Sequence, residues 1–104
     1  MSVFKKEVYQ LQQLARQQTQ IYSDAADQGV LATPEIKAQM REILRALPEM
    51  RVVHKLNSST QIFRRYNSQV WWGMGTGVNI YIDYVMDFQR QKEFFNICIF
   101  SVNE

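Results

Sequence analysis

The sequence predicts an α+β domain, with two N-terminal antiparallel helices packed on one face of a four- to five-stranded, mainly antiparallel sheet. Three observations carry that prediction. Apolar residues recur every three or four positions up to Leu47, then every second position in the segments after Met50. Helices followed by a run of strands is the α+β pattern. A length of 104 residues suits a single domain covering 1–104.

The first helix is expected over 3–28. Phe4, Val8, Leu11, Leu14, Ala15, Ile21, Tyr22 and Ala25 make its apolar stripe, and Gln10, Gln13, Gln17 and Gln20 lie opposite. Gly29 supplies a stop. The second helix is expected over 34–47. Thr33 offers a capping hydroxyl, Pro34 suits a first turn whose N–H would be unpaired anyway, and Glu35 meets the positive end of the dipole. Ile36, Met40, Ile43, Leu44 and Leu47 form its stripe, which ends before Pro48. A connection of a few residues makes the two helices antiparallel neighbours.

The sheet is expected over 50–103. Met50 to Leu56 reads as a strand with Met50, Val52, His54 and Leu56 on one side. Residues 59–72 admit two readings. Ser59 could cap a helix uniting Ile62, Phe63, Tyr66 and Val70, or Thr60–Tyr66 and Val70–Met74 could be short strands turning at Asn67-Ser68-Gln69. Aromatic and β-branched content favours the strands. Val78, Ile80, Ile82, Tyr84, Met86 and Phe88 then alternate with Asn79, Tyr81, Asp83, Val85 and Asp87, the signature of a half-buried strand. Gln89 to Glu93 reads as a loop, and Phe94 to Val102 as the hairpin partner.

Composition narrows the function classes. A chain 46% hydrophobic is too apolar to stay disordered, and no apolar run approaches the ~18 residues of a membrane span. The start Met1-Ser2-Val3-Phe4-Lys5-Lys6 has no apolar signal region, so a cytoplasmic protein is expected. Catalysis finds little footing. His54 is the single histidine, and it belongs to a short strand as a core or edge imidazole. Cys98 is the single cysteine, reads as a small buried hydrophobe, and excludes an intrachain disulfide or a thiolate metal cluster. Asp83 and Asp87 share a strand side but stand ~13 Å apart, too far for a close acid/base pair. Gly73-Met74-Gly75-Thr76-Gly77 leads into a strand and lacks Gly-Lys-Ser/Thr, so it reads as a strand connection rather than a phosphate cradle. No enzyme, metal or cofactor is expected.

Two features remain for binding. The formal net charge is only +2, but residues 37–65 hold seven basic residues against two acidic ones. These are Lys37, Arg41 and Arg45 along one helix edge, then Arg51, Lys55, Arg64 and Arg65. Such a zone suits an anionic partner, although mixed surface charge is also how small proteins stay dissolved. The second feature is aromatic. Strand neighbours Trp71 and Trp72 point to opposite faces, and Phe94–Val102 is apolar on both sides. With Trp72 in the core, Trp71 joins Tyr81, Val85 and Phe100 on the other face. The expectation is a non-catalytic interaction protein, of adaptor or inhibitor type, binding a protein partner or a second copy of itself through these aromatics and the basic zone. Nucleic-acid binding through residues 37–65 with aromatic stacking is the alternative.

Overall fold

A computed structural model describes residues 5–21, 29–47 and 49–103. The elements run α1 (Lys5–Ile21), β1 (Val30–Leu31), α2 (Pro34–Ala46), β2 (Arg51–Asn57), β3 (Gln61–Gly73), β4 (Thr76–Asp87) and β5 (Lys92–Asn103). The fold is α+β, as the change of period predicts. The strands form one antiparallel sheet in the order β1-β5-β4-β3-β2. Phe4, Tyr22, Ala25, the predicted end of the first helix over 22–28, and Pro48 lie outside the described residues.

Local chemistry accounts for the helices. In α1, Val8, Leu11 and Leu14 are buried on one stripe. At the start of α2 the Thr33 hydroxyl accepts from the Ile36 N–H at 3.2 Å, and Pro34 occupies the first turn. The helix closes where the Leu47 N–H donates to the Ile43 carbonyl at 3.1 Å. Val8, Leu11, Leu14, Met40, Ile43 and Leu47 share one core with Val70, Val78, Ile80, Ile82, Phe95 and Ile97. Those sheet residues are alternate positions on adjacent strands: Ile80 lies opposite Ile99 and Ser68, and Ile82 opposite Ile97 and Tyr66. They define a helix side. The intervening positions define an open face.

Three expectations need correction. Residues 61–73 are strand, but as one continuous β3, with no turn at Asn67-Ser68-Gln69. Polar residues are tolerated there because each finds a place: Asn67 Nδ2 donates to Asn79 Oδ1 at 2.7 Å and to the Ile80 carbonyl at 2.9 Å, and Ser68 is buried on the helix side. Val30 and Leu31, read as part of the interhelix connection, instead pair with Phe95 and Phe94 of β5. The third concerns β2. A bulge between Val52 and His54 places Val52 opposite Tyr66 but His54 opposite Arg65, so Val52 takes the helix side and His54 and Leu56 the open face.

The glycine-rich segment is a tight hairpin. Met74 and Gly75 take φ of 58° and 70°, the positive pair of a two-residue type I′ turn. In the β4–β5 turn, Asp87 Oδ1 accepts from the Gln89 and Arg90 N–H groups, each at 3.1 Å.

Candidate functional site

The open face is built by the odd-numbered residues of β3 and β4 and the even-numbered residues of β5. Trp71 is 44% exposed and Phe100 55% exposed, while Trp72 packs partly buried against the core. The Trp71 ring lies across Gly77, where a Cβ would stand 3.1 Å from its Cε3. A glycine opposite therefore gives the indole a backbone shelf. Tyr81 and Phe100 meet edge to face, with ring centroids 6.3 Å apart. Val85 shares this face but is buried, beside Phe63 and Phe94 in the pairing register. It supports the surface rather than presenting it.

Between the aromatics sits a closed ion pair. Arg65 Nε donates to Asp83 Oδ1 at 2.7 Å and its Nη2 to Oδ2 at 2.9 Å, a bidentate geometry that fixes both groups. The hydrogen bonding it donates to Asp83 holds the Arg65 guanidinium pKa above its ordinary value, against the opposing effect of burial. The guanidinium also lies 5.6 Å from the Phe63 ring centre and 6.0 Å from that of Tyr81. Arg65, Tyr81, Asp83, Cys98 and Phe100 together line a shallow depression of about 290 Å³.

Cys98 corrects the sequence reading. It is exposed, because position 98 shares the open face with Phe100 and lies opposite Tyr81. An apolar strand suggested cover on both sides, and only the helix side has it at this position. His54 is an exposed edge imidazole, meeting Phe63 edge to face at 5.6 Å.

The basic zone does not form one strip. Arg51, in register with Asn67, and Arg65 belong to the open face, whereas Lys55 and Arg64 pair with each other on the helix side. Lys37, Arg41 and Arg45 follow α2. Lys37 is tied to Glu93 of β5 at 2.8 Å, and Arg64 bonds to the Asn57 side-chain oxygen at 3.4 Å.

Comparison of the chain with protein-family models, curated proteins and solved structures found no match in any of the three.

On the helix side, the residues around Lys37 make a second constellation. A cleft of about 230 Å³ opens between α2 and the sheet, lined by Lys37, Met40, Arg41, Leu44, Tyr66, Tyr84, Glu93 and Phe95. Lys37 Nζ holds Glu93 Oε1, and the Tyr84 hydroxyl donates to Glu93 Oε2. Burial pushes the Glu93 carboxyl up, but the bonds from Lys37 and Tyr84, with the Lys37 charge, outweigh it and leave the pKa below its ordinary value. Burial and the Glu93 bond push the Tyr84 phenol up to about 12. Sequence reading missed this cleft. The available signal was Lys37 and Arg41 at helical spacing beside Met40 and Leu44, but nothing local places Tyr84 and Glu93 beneath them.

Among the described residues, no group of three or more His, Cys, Asp or Glu side chains is arranged to hold a metal ion. No helix of the described residues is long and apolar enough to cross a membrane.

Proposed function

We propose that the chain is a non-catalytic interaction protein that docks a protein surface, a second copy of itself included, on the open face of its sheet. The observation that carries this reading is the pair of half-exposed aromatics, Trp71 and Phe100, on a rigid antiparallel platform. Aromatic side chains supply most of the binding energy at many protein interfaces, and large apolar groups clustered on one face are uncommon on surfaces that stay wet. The Arg65–Asp83 pair further along the same face is charge-balanced, so it repels neither an acidic nor a basic partner. Its groups are already hydrogen-bonded to each other, which reduces the cost of covering them.

The reading is non-catalytic because the candidate chemical groups are committed elsewhere or isolated. His54 sits at an exposed edge against Phe63, and Asp83 is held by Arg65. The test is molecular mass by light scattering over a rising protein concentration, with partner capture measured in parallel. The Trp71→Ala/Phe100→Ala double variant should stay folded and lose the association that the native chain shows. Equal association by both proteins would defeat the reading.

Nucleic-acid binding is the second reading and has less support, since Arg65 is engaged by Asp83 and the other cations divide between two faces. It predicts a retarded RNA or DNA band at ~50 mM salt, where phosphate contacts are strongest. Loss of that band in Arg51→Ala/Lys55→Ala would support it; no band at all would end it.

A further inference from the structure

We propose that the cleft between α2 and the sheet binds a small organic carboxylate with an apolar body, the carboxylate held by Arg41 and Lys37 and the body by Met40, Leu44, Tyr66 and Phe95. This site lies on the opposite side of the sheet from the aromatic face and does not depend on it.

Size comes first. At about 230 Å³ the cleft falls below the ~300–1,000 Å³ typical of pockets for drug-sized ligands. One ring or one branched chain fits; a nucleotide or a folded peptide does not. The walls suit such a body: Met40 and Phe95 are buried core residues, and Leu44 and Tyr66 pack against that core. Phe95 is held in place by the Tyr84 ring, 5.6 Å away at a 50° tilt.

Charge selects the head group. Both Glu93 oxygens are occupied, one by Lys37 and the other by Tyr84, so the one carboxylate among the described lining residues has its charge met. The Tyr84 proton is used in that bond. What remains at the rim is donor capacity: further N–H groups of Lys37 and the guanidinium of Arg41, for which no ion pair occurs among the described residues. Arg64 lies opposite Tyr84 on the same side of the sheet and adds a further positive charge nearby. An amine would meet two or three cations, whereas a neutral ligand would leave the donors to water. A carboxylate supplies the acceptor pair that a guanidinium fork matches. The Lys37–Glu93–Tyr84 chain also ties α2 to β4 and β5, so the walls stand formed before a ligand arrives.

The experiment is an NMR titration with three probes of one shape and different charge: phenylacetate, phenylacetamide and 2-phenylethylamine, at fixed ionic strength. Phenylacetate should give saturable shifts centred on Met40, Leu44, Glu93 and Phe95, with a Kd of roughly millimolar order, as expected for so few atoms. The other two probes should not saturate in that range. Arg41→Gln should weaken phenylacetate about tenfold, the scale of one lost charged hydrogen bond. Arg45→Gln, one turn further along α2 and outside the cleft, should leave the affinity unchanged. Equal shifts with all three probes, no saturation with phenylacetate, or shifts centred on Trp71 and Phe100 would each overturn the proposal.

Discussion

The two faces of the sheet are made from the same strands, one residue apart, and they have been given different work. On the helix side, Ile80, Ile82 and Ile97 are almost wholly buried beneath Leu11, Leu14, Met40 and Ile43. On the open face, Tyr81, Asp83, Cys98 and Phe100 stand in the intervening positions, beside an ion pair and facing water. The first set has aliphatic groups that fill volume and hold the helices down. The second has rings, a thiol and charges that hold each other in place. Moving one position along β4 therefore exchanges a residue packed in the core for one on the face turned away from the helices.

That contrast is open to attack by substitution. Ile82→Ala, at a fully buried position, should cost ~2–5 kcal/mol in urea unfolding, with a matching fall in Tm. Gly29→Ala comes next. Its Cβ would stand 2.6 Å from the Phe94 ring and 2.7 Å from the Phe95 carbonyl, so about 1–3 kcal/mol should be lost. Phe100→Ala should cost only about 1 kcal/mol, most of it the edge-to-face contact with Tyr81. If Phe100→Ala destabilised as much as Ile82→Ala, the open face would be a second core and the contrast would collapse.

A pH measurement sharpens the same comparison from the helix side. Glu93 holds its proton less tightly folded than unfolded, so its contribution is complete well above its ordinary value of 4.5. It fades as pH falls through the lowered folded value. Glu93→Gln should therefore narrow the stability gap between pH 7 and pH 3, by no more than the ~1 kcal/mol of a partly exposed ion pair. Tyr84 runs the other way: its raised pKa favours the folded state at neutral pH, and that advantage is lost as pH climbs towards about 12. The smallest effect belongs to the β3–β4 turn. Met74→Asn should stabilise by a few tenths of a kcal/mol to about 1, since asparagine tolerates positive φ better.

The two faces were not equally legible in the sequence. Alternation along Val78–Asp87 announces itself because a strand with one wet face must change polarity every residue, and the β4–β5 pairing bears this out, although Phe88, expected to continue the strand, lies exposed in the turn beyond it. Trp71 and Trp72 divide between faces for the same reason. Three features escaped. Asn67-Ser68-Gln69 carries turn-forming residue types, and only partners on β4 and the helix side turn it into strand. Val30–Leu31 is too short to show any period, and its pairing with β5 comes from the tertiary fold. Cys98 sits in an apolar run whose exposed side is revealed only by where the helices stop. The cleft was hidden for a further reason: Lys37, Tyr84 and Glu93 become neighbours through the β4–β5 hairpin and the seating of α2, neither of which leaves a local pattern.

The bulge in β2 carries a separate consequence. This strand is the sheet's outer margin, exposed along its whole length, with Val52, Val53 and Leu56 all accessible. A flat margin of that kind invites other chains to add themselves one after another into fibrils. The kink at Val52–His54 interrupts the straight row of backbone donors and acceptors that such stacking requires, and Arg51 and Lys55 place positive charge along the margin. The irregularity that upset the simple sidedness of the strand is thus also a feature of the kind that disfavours edge-to-edge pairing.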